Sequence, residues 1–321
     1  MFRRVASPSL PAPNVLLTIL GAAAIASCTY PTPNSGGGVG AVAAKTSPAS
    51  GPEPAPVVPP PVIDRLDASR QGSAVLLADL DGRRIAYVAD EDESIVRVID
   101  VDDERELSKF APGGAPSTMV MLPDGRLVVA VRDAAQLLVL RGGGSERSPL
   151  VVDTRIDVPA EPVGLALSPD DATLVATSGW GRTVSIFDAH TFTRTAAHRV
   201  AREPRSVVVS SDGRHAFVSH AVGQALDVIP LDGTEPGKPL TLGGKEETPG
   251  FRAMFGDQKR VACQGFALAK AESGRVFAPH VLVFPGEPEV SSGYGGGEGR
   301  EAEVFHVPVI DEDSGKLLPE S

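Results

Sequence analysis

An acidic turn dipeptide returns four times along this chain, each time between two short apolar runs: Asp81-Gly82, Asp124-Gly125, Asp170-Asp171 and Asp212-Gly213. The steps between them are 43, 46 and 42 residues, a period that belongs to four-stranded β-blades and not to helical repeats. The runs before the turns are Ser73–Ala78, Thr118–Leu122, Val163–Leu167 and Ser206–Val209, and those after them are Ile85–Ala89, Leu127–Val131, Leu174–Thr177 and Ala216–Ser219. Such lengths suit strands and are too short for helices. Gly in a two-residue turn accepts positive φ, so each pair folds back antiparallel.

A third run follows in every unit, Ile95–Ile99, Leu137–Leu140, Val184–Phe187 and Leu226–Ile229, and a weaker polar fourth, such as Glu106–Phe110 or Pro239–Leu242, suits an exposed outer edge. A fifth unit is distorted: Gly265–Ala269, the turn Glu272-Ser-Gly274, Val276–Ala278 and Val304–Val307 supply three strands, with insertions at 243–264 and 285–303. The expectation is an all-β chain, a β-propeller of four-stranded antiparallel blades. About five blades are visible, at 70–114, 115–160, 161–203, 204–244 and 260–321. A low aromatic content suits this architecture, because each blade packs only on its neighbours and no large central core is needed. Closure would require a strand from near Val62–Leu66 or from another chain, so the expected shape is an incomplete or truncated open arc.

With its Ser168-Pro-Asp170 turn, Val-rich strands and Thr183–Asp188 ending, the repeat resembles the bacterial YVTN-type β-propellers of the cell surface over residues 70–284. Members of that family are commonly seven-bladed, more than this chain supplies. The last unit, Ala262–Ala269 with Val276–His280, is similar to the propeller part of longer surface proteins that end in a di-haem cytochrome c peroxidase-like domain. That resemblance implies a truncated relative serving redox support.

Ahead of the repeats, Arg3 and Arg4 precede the apolar stretch Val15–Ile25 and then Ile25-Ala-Ser-Cys28. This pattern is a targeting segment too short to span a bilayer. Its end resembles the lipobox of bacterial lipoproteins, which implies a signal peptide at 1–27 and a lipidated Cys28 as the membrane anchor. Residues 28–61, rich in Pro, Gly and Ser, read as a disordered tether, and 62–321 as the propeller domain. The expected location is the bacterial cell envelope. After lipidation Cys263 is the remaining thiol, in a setting that reads as buried, and no intrachain disulfide can form. A net charge of −11 argues against a nucleic-acid partner.

In a propeller, the loops joining second to third strands and those joining successive blades open on one face, around the channel mouth. The second strands end at Asp90, Arg132, Ser178, His220 and His280, which makes these the candidate ligand-face residues together with Trp180 and Arg205. His190, His198 and His306 fall outside this set. Asp90, His220 and His280 could bind a metal by chemistry, and a metal-dependent propeller hydrolase or lactonase is one alternative, but nothing in their spacing supports a metal site. Asp90–Glu93 and Asp102–Glu104 lack the spacing of a calcium loop and read as solvated turns. The sequence holds no Cys-x-x-Cys-His, nucleophile elbow, P-loop or His-Glu-x-x-His. No catalytic residue and no cofactor is expected. The main reading is a membrane-anchored, non-catalytic propeller that binds an unknown envelope protein or small ligand.

Overall fold

A computed structural model describes residues 70–80, 82–143, 149–243, 261–271, 273–283 and 303–319, all within one compact unit. Cys28, residues 28–61, Val62–Leu66 and Gly293–Gly299 lie outside the described residues. The first blade is β1 (Val75–Leu80), β2 (Arg83–Asp90), β3 (Ile95–Asp100) and β4 (Arg105–Phe110). The second is β5 (Pro116–Met121), β6 (Leu127–Val131), β7 (Gln136–Arg141) and β8 (Val151–Asp157). The third is β9 (Pro162–Leu167), β10 (Thr173–Ser178), β11 (Thr183–Asp188) and β12 (Arg194–Arg199), and the fourth is β13 (Pro204–Val209), β14 (His215–His220), β15 (Ala225–Pro230) and β16 (Leu240–Thr241). In each, chain order is strand order and neighbours run antiparallel, so each blade is a four-stranded meander.

The repeated turns explain the hairpins. Gly125 has φ +81° with open space around it, whereas the third turn places Asp171 at φ +59°, a conformation that Asp tolerates better than most side chains. The hydroxyl of Ser168 donates to Asp170 Oδ1 at 2.5 Å and accepts from the Thr173 amide at 2.9 Å. Ser210, Asp212 and His215 repeat this pattern at 2.6 and 3.0 Å. The serine hydroxyls first, with nearby amides, hold the Asp170 and Asp212 carboxyls below the usual range.

Stability comes from faces pressed together. One apolar cluster joins blades one and two through Ile85, Tyr87, Val98, Met119 and Val129, and a second joins two and three through Val128, Leu137, Leu165 and Phe187. Two more repeat the arrangement between three and four and between four and five. All five residues of β6 are buried, because a strand between two such interfaces has no solvent side. Among the described residues no apolar cluster joins blade five to blade one, and Val75 and Leu77 on the outward face of the first blade are 53% and 39% exposed.

A short strap precedes β1 and lines the axis. The Arg70 carbonyl accepts from the Leu167 amide at 2.7 Å, the Gly72 amide donates to Leu165 at 2.7 Å, and Ser73 exchanges two bonds with Met119 at 3.0 and 2.9 Å. These contacts extend the inner edges of β9 and β5. The Gln71 amide donates to Ser206 Oγ at 3.1 Å and to the Leu268 carbonyl at 2.8 Å. Four blades are thus tied to one run of four residues, Arg70–Ser73.

The fifth blade departs from the expected layout. Its strands are β18 (Ala269–Ala271), β19 (Arg275–Phe277), β22 (Val309–Asp311) and β23 (Lys316–Leu317), while β17 (Val261–Cys263), β20 (His280–Val283) and β21 (Glu303–His306) form a separate three-stranded sheet. The run Val304–Val307 is therefore not the blade's third strand. Phe277 pairs with Val309, and His280 with His306, in one unbroken register. A single long hairpin runs through both sheets and is interrupted at Pro279 and Pro308, residues that cannot donate to a ladder. Cys263 is only half-buried in β17, not enclosed as its setting suggested.

A Cβ at position 72 would lie 2.6 Å from Thr118 Oγ1 and 2.8 Å from the Leu165 carbonyl. Gly72→Ala should lower the urea midpoint by an amount equivalent to about 1–3 kcal/mol, while Gly237→Ala, in open space, should leave it unchanged. The lowered Asp170 and Asp212 carboxyls make a contribution that is complete above about pH 4 and lost as pH falls through their folded values. Replacing Ser168 and Ser210 by Ala should flatten the acid side of a plot of Tm against pH.

Candidate functional site

The loops after the second strands and those between blades open on one face, and a chain of charges crosses it. Arg132, at the end of β6, pairs with Glu91 from the first blade and reaches Glu161 Oε1 at 2.8 Å. Arg205 in β13 reaches the same Oε1 at 3.2 Å and Glu203 at 2.8 Å. Glu161 and Glu203 sit in the connectors before β9 and β13 at φ +62° and +53°. Glu161 is buried and shares one oxygen between two guanidinium groups; its Oε2 has no hydrogen-bond partner among the described residues. Charge-assisted bonds of this kind fix geometry strongly, so the ladder locks loops of blades one to four in mutual register.

Trp180, the only tryptophan, stands on this ladder. The Gly179 amide donates to the Glu161 carbonyl at 2.8 Å and the Gly181 amide to Ala160 at 3.0 Å. A Cβ on Gly179 would meet Glu161 Oε2 at 2.4 Å, and one on Gly181 would meet Pro159 Cβ at 2.5 Å. Both glycines are needed for this approach of backbone to backbone. The indole between them is 72% exposed. Below the rim lies an axial cavity of about 310 Å³, lined by Gln71, Ser117, Thr118, Arg205, Ser206 and Phe266 among others.

The remaining candidates are engaged elsewhere. Asp90 accepts from the Glu93 amide at 3.0 Å and from Arg97 Nε at 2.9 Å, contacts that hold its carboxyl low. Ser178 is buried at the end of β10. His220 is enclosed: its Nδ1 donates to the Arg202 carbonyl at 3.0 Å, and its Nε2 lies 2.8 Å from Asp227 Oδ2. That second contact is close but poorly aligned, and Nε2 makes no hydrogen bond among the described residues. His280 opens β20, beyond the end of the second strand, and faces His306. Burial pushes its ring below the usual histidine range, against the opposing pull of the Ala278 carbonyl. Asp90, His220 and His280 therefore do not meet, and among the described residues no group of three His, Cys, Asp or Glu side chains could hold a metal.

The sequence reading missed Glu161, Glu203 and His306. Glu161 follows Val158-Pro-Ala with no motif around it, and its partners lie 29 and 44 positions away. The Glu203-Pro204 and Glu161-Pro162 pairs are the one signal that could have flagged them, as matching residues ahead of two inner strands.

No known family matches this chain, and no curated protein does. Solved structures match by fold. Hydrazine synthase of Kuenenia stuttgartiensis superposes with a TM-score of 0.52 at 14% identity, over 73% of this chain and 61% of that one. A putative 6-phosphogluconolactonase from Bacteroides uniformis gives 0.51 at 13%, over 75% and 68%, and a protein from Lactobacillus plantarum gives 0.51 at 15%, over 74% and 67%. The chain thus spans about 61% of the length of the hydrazine synthase chain. These likenesses establish the β-propeller fold and carry no chemistry across.

Replacing Glu161 by Ala would leave Arg132 and Arg205 without their shared counter-ion and free the Gly179–Gly181 loop. The expected loss is about 1–3 kcal/mol, given that both arginines are partly solvated, together with a fall in Trp180 fluorescence anisotropy.

Proposed function

We propose that this chain is a membrane-anchored, non-catalytic β-propeller of the bacterial cell envelope, lipidated at Cys28, that binds an envelope protein through its ladder face. The observation that carries the reading is Trp180, held by two backbone bonds and yet largely in solvent. A rigid exposed indole beside arginines is the composition of a binding hot spot. Exposing it would otherwise gain nothing, since a smaller residue would fill the loop. The partner is a protein or peptide. The acidic run Asp90–Glu93 on the same face and the overall charge of −11 favour a neutral or basic one.

The test places a photo-crosslinking residue at Trp180 in the full-length chain in its native envelope, and the same residue at His190. His190 is exposed in the same blade, in the turn between β11 and β12 on the opposite face. Discrete adducts at position 180, absent at 190 and abolished by Glu161→Ala, are the expected result. No adduct at 180, or the same adducts at both positions, would overturn the reading.

A further inference from the structure

The geometry points to a late first-row divalent metal site, for Zn²⁺ or Cu²⁺, formed by His280 Nε2 and His306 Nδ1 at the proline bend of the fifth blade's hairpin. The two histidines are directly paired across β20 and β21. Their facing nitrogens are 3.2 Å apart, with rings at 83° and centroids 5.0 Å apart. Two imidazole nitrogens on one tetrahedral zinc, at bonds of about 2.0–2.1 Å, are separated by about 3.3 Å. A pair at this spacing holds either one proton or one metal ion without moving its strands.

Two features separate the pair from an ordinary hydrogen bond between rings. The Nδ1 of His280 donates to the Ala278 carbonyl at 2.9 Å, which fixes the tautomer and aims the Nε2 lone pair at His306; metal-binding histidines are oriented in this way. His306 lines a groove of about 600 Å³, together with Leu242, Arg275, Pro308 and Leu318, so the pair is reached from that groove. Among the described residues Arg275 is the only charged side chain lining that groove, and it favours an anionic further ligand, hydroxide or carboxylate. Imidazole suits Zn²⁺ and Cu²⁺, whereas Ca²⁺ and Mg²⁺ require oxygen ligands.

The test titrates the untagged full-length chain in detergent with Zn²⁺ by calorimetry, and records the electron paramagnetic resonance of one equivalent of Cu²⁺. One zinc per chain and a copper spectrum split by two nitrogens are expected. His280→Asn and His306→Asn should each weaken binding at least about 10-fold, while His190→Asn and His215→Asn leave it unchanged. The copper spectrum is read on the unaltered protein, so a variant that misfolds does not obscure the answer. Absence of stoichiometric zinc, a single-nitrogen copper spectrum, or affinity unaffected by both substitutions in well-folded variants would overturn the assignment.

Discussion

Face-to-face apolar packing between consecutive blades is the interaction on which this molecule depends. A single four-stranded sheet with two apolar faces cannot remain in water alone, and here each inner blade covers the next. The strands in between carry no polar face, which is why β6 and β7 read as continuous apolar runs and not as alternating ones. Function is then left to the loops. The packed faces set where the loops emerge, and the ladder from Glu91 to Glu203 sets how they stand relative to one another.

What could be read from the chain follows from the range of each interaction. The hairpins of the first four blades were legible because their determinants are local: an Asp-Gly or Asp-Asp turn, strands of matching length, and in the third and fourth blades a serine two positions before the turn. The fifth blade was legible only as a strand-rich region. Val304–Val307 has the right composition for a third strand, but Pro308 divides the run between two sheets, and this division depends on Pro279 lying opposite in the hairpin.

The candidate site was legible in outline. Counting to the ends of second strands placed Arg132 on the ligand face, and the loops on the same side added Trp180 and Arg205. It could not show that one buried carboxylate unites them, because Glu161 belongs to a connector with no pattern of its own. The same counting grouped Asp90, His220 and His280. They share a topological position and not a location: blade one packs on blade two and not on blades four or five, and each of the three residues has partners within its own sheet.

The strap has a directional consequence. Arg70 lies beside Leu167 and bonds Asp171, at the end of the third blade where β9 turns into β10. From there the chain climbs the axis and reverses at Ala74 to descend as β1. The first described residue thus lies on the side away from Trp180. Residues 70–73 thus tie the blades from within and leave the indole of Trp180 in solvent.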